Sequence, residues 1–139
     1  MTDKKFEHRL QVRWSDSDRL GHVNNTRFVE YLQEARALFI TQVLMEAEGN
    51  RGATVVRKMT VDFLRPIFDE SGPLLIEVAV SRIGRTSFDV RHRVRDNSGS
   101  LCADASAVMV AFDLDAQASR PLTEREKTVL AEYPDTGKS

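Results

Sequence analysis

The sequence predicts an α+β domain in which a curved antiparallel sheet of five strands wraps around one long helix, with a short helix near the C-terminal end. Three features carry that expectation. Five segments alternate apolar and polar residues with the period of half-buried strands. One segment, from Thr26 to about Glu48, has three- and four-residue apolar spacing around most of its circumference. Short turn-forming stretches separate the last four strands, which favours antiparallel neighbours.

The first strand is expected where Leu10, Val12 and Trp14 face one way and Arg9, Gln11 and Arg13 the other. A polar loop, Ser15 to Asn25, follows. Asn24, Asn25 and Thr26 each carry a side-chain oxygen able to cap the first turn of the long helix. Phe28, Leu32, Ala35, Phe39 and Val43 form its apolar stripe, widened by Tyr31, Leu38, Ile40 and Leu44. Polar character is confined to a band through Glu30, Gln33, Glu34, Ala37 and Thr41. So thick an apolar surface needs a sheet curved over it, and Gly49 and Gly52 are the expected helix stop.

Four further strands are expected at Val55–Leu64, Leu74–Ile83, Thr86–Arg95 and Leu101–Leu114. Phe88, Val90, His92 and Val94 share one face of the third of these. The last carries Ala103, Ala105, Ala107 and Ala111 on one face, where small side chains let sheet and helix approach closely. Thr123-Glu124-Arg125-Glu126 has the form of a capping box and opens a helix to about Tyr133. The chain is expected to be one domain, residues 1–139, with a core over about 6–114 and the terminal helix over about 123–133.

With 139 residues a chain of this kind buries a full core without a metal clip or disulfide framework. The 20 basic and 21 acidic side chains leave a net charge of −1, so no overall field draws nucleic acid or an anionic membrane surface. The apolar runs are far shorter than the roughly 20 residues of a membrane-spanning helix. One cysteine, Cys102, and no secretory pattern at the start make a reducing cytoplasm the expected compartment.

The loop before the long helix carries the chemistry. Unpaired amides at a helix N-terminus attract a carbonyl oxygen and stabilise the oxyanion formed when the carbon is attacked. Asp18, ionised at neutral pH, is available as nucleophile or as base toward water. On composition alone, a turn and cap cluster is the more common reading of Asp16-Ser17-Asp18, and His22 either orients a carboxylate or, as is more common for a lone loop histidine, is a structural hydrogen-bonding group. His8 and His92 lie in strands with no ligand spacing to His22, so no metal site is expected. Cys102 is expected as a small core residue.

The segment from Val12 through Ser15-Asp16-Ser17-Asp18-Arg19-Leu20-Gly21-His22-Val23-Asn24-Asn25, running into Phe28-Val29-Glu30-Tyr31-Leu32-Gln33-Glu34-Ala35-Arg36, closely resembles the opening of acyl-CoA thioesterases of the 4-hydroxybenzoyl-CoA thioesterase type. The likeness continues through Val61-Asp62-Phe63-Leu64-Arg65-Pro66 and Arg82-Ile83-Gly84-Arg85-Thr86-Ser87-Phe88, and spans nearly the whole chain to Phe112. It implies the single-helix hotdog fold and hydrolysis of a fatty or aromatic acyl-CoA. Asp18 falls on the residue that attacks the thioester or activates water, Asn25 on the helix-terminal amide that binds the carbonyl oxygen, and His22 beside them. Arg85, Thr86 and Ser87 fall on contacts to the phosphates of coenzyme A, a role suited to a guanidinium and two hydroxyls. Phe28, Tyr31 and Phe63 are candidates for the acyl pocket or for the core. Some related enzymes use a helix glutamate instead, which makes Glu30 and Glu34 the alternative carboxylates. The resemblance also implies a homodimer assembling to a homotetramer, each site shared between protomers, with no cofactor beyond the coenzyme A of the substrate. Sheet edges left open by five strands motivate association independently.

Two rivals are weighed against hydrolysis. An acyl dehydratase on the same fold uses a helix histidine, which this helix lacks. A non-catalytic acyl-CoA-binding module has no need of Asp18.

Overall fold

The computed structural model describes residues 3–45 and 53–136. The elements are β1 (Phe6–Leu10), α1 (Asn25–Phe39), β2 (Thr54–Phe63), β3 (Leu74–Ile83), β4 (Ser87–Arg95), β5 (Leu101–Asp113), β6 (Ala118–Ser119) and α2 (Glu124–Ala131). The main strands pair antiparallel in the order β1-β3-β4-β5-β2, and the two-residue β6 adds to β5. This is the expected curled sheet around a central helix.

α1 begins where Asn24 accepts the Thr26 amide at 2.8 Å, and its last turns, Ile40–Met45, widen into a π-helix. The expected continuation to Glu48 and the stop at Gly49 and Gly52 lie outside the described residues. Phe28, Tyr31, Leu32, Ala35 and Phe39 are buried against the sheet, while Gln33, Glu34, Ala37 and Thr41 are exposed, as the periodicity requires. From the sheet come Leu74, Ile76 and Val78 of β3, Phe88, Val90 and Val94 of β4, and the alanines of β5. Register shifts at Val56/Lys58, Val80/Arg82 and Val94/Arg95 add the local bending by which a sheet curls around a cylinder.

The first strand departs from expectation. It begins at Phe6 and ends at Leu10, while Trp14 sits in a 3₁₀ turn and is 81% exposed. The alternation is physically present, since Leu10 and Val12 are both buried. The ladder stops because β3 begins opposite Leu10 at Leu74, and the preceding Pro73 has no amide to donate. Gly72 passes so close that a Cβ there would lie 3.0 Å from the Val12 nitrogen.

Two edges frame the sheet. β2 is the longer one, with both faces largely open, including Val55, Val56, Phe63 and the adjoining Leu64. α2 is fixed by its capping box: Thr123 accepts from the Glu126 amide, and the Glu126 carboxylate accepts from the Thr123 amide. Glu126 is fully buried and takes two bonds of 2.8 Å from Arg120. No helix among the described residues is long and apolar enough to cross a membrane.

Candidate active site

The loop ahead of α1 is built on two aspartates with different duties. Asp16 is 5% exposed; its carboxylate accepts the Tyr31 hydroxyl at 2.5 Å and lies 3.3 Å from Arg13 Nε, while its carbonyl accepts the Asn24 amide. It pins the loop to the flank of α1. Burial first, then the Asp16 bond, raises the Tyr31 phenol well above its ordinary range, so Tyr31 is a neutral donor in the core.

Asp18 is exposed. Its Oδ1 accepts from the amides of Leu20 (2.9 Å) and His22 (3.4 Å), while its backbone amide donates to the His22 carbonyl. Gly21, at φ +82°, makes that tight reversal possible. Among the described residues nothing bonds the second carboxylate oxygen.

After the reversal, Ser17 bridges to Val23, the Val23 amide donates to the Ile67 carbonyl, and His22 pairs with Phe68, its ring edge-on to the Phe68 ring at 4.8 Å. These links bring the segment after β2 against the tip of α1. Between them lies a cavity of about 220 Å³ lined by His22, Val23, Asn25, Phe28, Phe63, Leu64, Arg65, Pro66 and Ile67. Asn25 is the first helical residue, and among the described residues no acceptor bonds its amide. Phe28 and Phe63 meet edge to face at 5.3 Å, and Phe63 remains 43% exposed. The cavity therefore offers a free amide at a positive helix end, an imidazole, and an aromatic floor.

Of the expected site residues, His22, Asn25, Phe28 and Phe63 come together on this cavity. Asp18 lies on the turn beside it, not on its wall. Tyr31 is turned to Asp16 in the core. Arg85, Thr86 and Ser87 lie at the other end of the sheet: Ser87 is opposite Val110 of β5 and Phe63 opposite Ala103, roughly 23 Å apart along β5 at ~3.3 Å per residue. The Ser87 hydroxyl is buried and accepts from Arg82 at 2.9 Å, leaving Arg85 exposed at the tip. Both alternative carboxylates are engaged, Glu30 with Arg27 at 2.9 Å and Glu34 with His8 at 2.7 Å. Arg65 and Phe68 are the contributions that sequence reasoning missed; a cation immediately after the strand facing the helix tip was the available signal.

Cys102 is buried, and burial pushes its thiol up to about 11, which makes it inert. Among the described residues no group of histidine, cysteine and carboxylate side chains is arranged to hold a metal.

Residues 12–132 match the profile of the thioesterase-like superfamily. The chain belongs to that family. An acyl-CoA thioester hydrolase, YbgC of Escherichia coli O157:H7, is 28% identical to this thioesterase over 140 residues, covering 96% of this chain and 98% of its own. A thioesterase from Thermus thermophilus, solved in complex with coenzyme A and Zn, is 32% identical with a TM-score of 0.76, covering 89% of this chain and 90% of its own. A 1,4-dihydroxy-2-naphthoyl-CoA thioesterase from Synechocystis, Slr0204, shares the fold at 19% identity and a TM-score of 0.77, covering 98% and 100%. The architecture is the hotdog fold.

Proposed function

We propose that the protein hydrolyses an acyl-CoA with a fatty or aromatic acyl group to the free acid and coenzyme A. The observation that carries this reading is the unpartnered Asn25 amide at the positive end of α1, opening on a cavity beside a carboxylate with one free oxygen. The thioester carbonyl oxygen accepts from Asn25, and the developing oxyanion is held there. Asp18 takes a proton from water, the water oxygen bonds to the carbonyl carbon, the C–S bond breaks, and the thiolate leaves with that proton. In the covalent variant the Asp18 oxygen adds first and water then cleaves the anhydride. Single turnover in ¹⁸O-water that leaves label in the Asp18 carboxylate identifies the second route, with water entering at the Asp18 carbonyl of the anhydride.

Finer assignment to the 4-hydroxybenzoyl-CoA type rests on the Asp-x-Asp and Gly-His-Val-Asn-Asn loop. No cofactor is needed, because the thioester is already activated. The phosphate contacts require a second copy of the chain. β2 offers a long open edge. If two copies join antiparallel along it, the Thr54 end of one strand meets the Phe63 end of the other. Thr54 pairs with Ala111, whose amide donates to the Thr86 carbonyl, so the Arg85–Thr86 tip of one copy comes toward the helix tip of the other. A homodimer is the assembly this reading requires, and the resemblance adds its further assembly to a homotetramer.

Asp18→Asn is the direct test. Thiol release from benzoyl- and octanoyl-CoA should fall about 10²-fold or more in kcat with binding retained. Unchanged turnover removes Asp18 from the reaction, and no turnover in the unaltered protein favours the binding module.

A further inference from the structure

Arg36 is a charged side chain in an apolar place. It points from the middle of α1 into the layer between helix and sheet, is 5% exposed, and among the described residues has no carboxylate within ion-pairing distance. Its one hydrogen bond there goes to the Met59 sulfur of β2 at 3.9 Å, a weak acceptor. Next to it on the inner face of β4 is His92, fully buried, with neither ring nitrogen bonded. Burial lowers the basicity of both, and the Arg36 charge further opposes protonation of His92, so a neutral imidazole lies beside the cation. An unpaired buried cation is costly enough that a partner is expected when the protein is at work.

The guanidinium borders a cavity of about 470 Å³ between α1 and β2, with Ala37, Ile40, Val56 and Met109 among its lining. This groove lies farther along the same α1–β2 seam as the cavity at the helix tip, with no lining residue in common. α1 runs antiparallel to β2, so contacts proceed from Phe28–Phe63 at the helix tip, through Arg36–Met59, to Ile40 and Val56. From Asn25 to Arg36 is roughly 16 Å along the helix axis at ~1.5 Å per residue, and helix side chains lean back toward the N-terminus.

Building on the hydrolase reading, we propose that the α1–β2 groove binds an acyl group whose far end is a carboxylate, held by Arg36, so that the substrate class is ω-carboxyacyl-CoA. An aliphatic spacer lies along the α1–β2 seam between the helix tip and Arg36, and the terminal carboxylate takes the fork of donors that Met59 leaves unused. The carboxylates a second copy would bring to this surface are poorly suited. Glu30 and Glu34 are already engaged within their own chain, and Asp62 alternates to the opposite face of β2 from Met59.

The test compares suberoyl-CoA and sebacoyl-CoA with octanoyl-CoA and decanoyl-CoA on the intact protein, by thiol release and by calorimetric affinity. The unaltered protein should favour the ω-carboxy member of each pair. Arg36→Met should lower the ratio of kcat/KM for suberoyl- over octanoyl-CoA about ten- to hundredfold, and Arg36→Lys should restore part of it. Equal or reversed preference in the unaltered protein overturns the proposal whether or not the variants fold. So does a variant that dissociates the assembly without changing the ratio, since Arg36 then serves the second copy. If none of the four thioesters is cleaved and benzoyl-CoA is left intact as well, the hydrolase reading fails, and the affinity ratio alone decides the Arg36 site.

Discussion

Asp16 and Asp18 stand two positions apart with opposite surroundings, and the difference predicts opposite effects of substitution. Asp16→Ala strands the Tyr31 hydroxyl in the core and should lower stability by about 2–3 kcal/mol in urea unfolding. Asp18→Asn sits on an exposed turn and should leave the urea midpoint nearly unmoved while removing turnover. The sequence could not separate these two, because Asx-rich loops look alike until the fold decides which carboxylate meets the helix flank. His92 was legible as an inward strand position, but its lack of partners depends on which residues cross from α1. Pushed down to about 4 by burial and by Arg36, against an ordinary value of 6.5, its stabilising contribution is complete above about pH 6.5 and is lost as pH falls toward 4. The loss is on the order of 3 kcal/mol. His92→Gln should flatten the fall of urea midpoint between pH 7 and 4.5; an unchanged slope would refute the assignment.

Among the elements, strand boundaries after α1 were readable to within a residue, because alternation and turn composition agree at β3, β4 and β5. β1 was misplaced toward Trp14, since alternation in a sequence outlasts the hydrogen-bonding partner that makes it a strand. β6 has two residues and no periodicity to detect. The capping box of α2 was legible because its chemistry is local, but the buried Arg120–Glu126 pair was not. Burial alone would raise the Glu126 carboxyl, yet the bonds from Arg120 and Thr123 hold it below its ordinary value. Arg120→Met removes the cation from that buried carboxylate and should cost about 3–5 kcal/mol, whereas Thr123→Ala should cost about 1 kcal/mol. Thermal unfolding of the two variants ranks them.

At the scale of the molecule, the open β2 edge and the split between helix tip and hairpin are two sides of one fact. Val56→Lys, on the exposed part of β2, should shift light-scattering mass toward the single chain and lower turnover together. The sequence disclosed both halves of the proposed site as motifs, because each is a local pattern. It could not disclose that they lie at opposite poles of one chain, since that follows from a register fixed only when β2 crosses over to pair with β5.

In the proposed dimer, antiparallel pairing of the two β2 edges makes each chain lend one half of a site and borrow the other. Two crippled versions should then rescue one another: co-refolded Asp18→Asn and Arg85→Ala chains, each nearly silent at low substrate, would regain about one working site in four by random exchange.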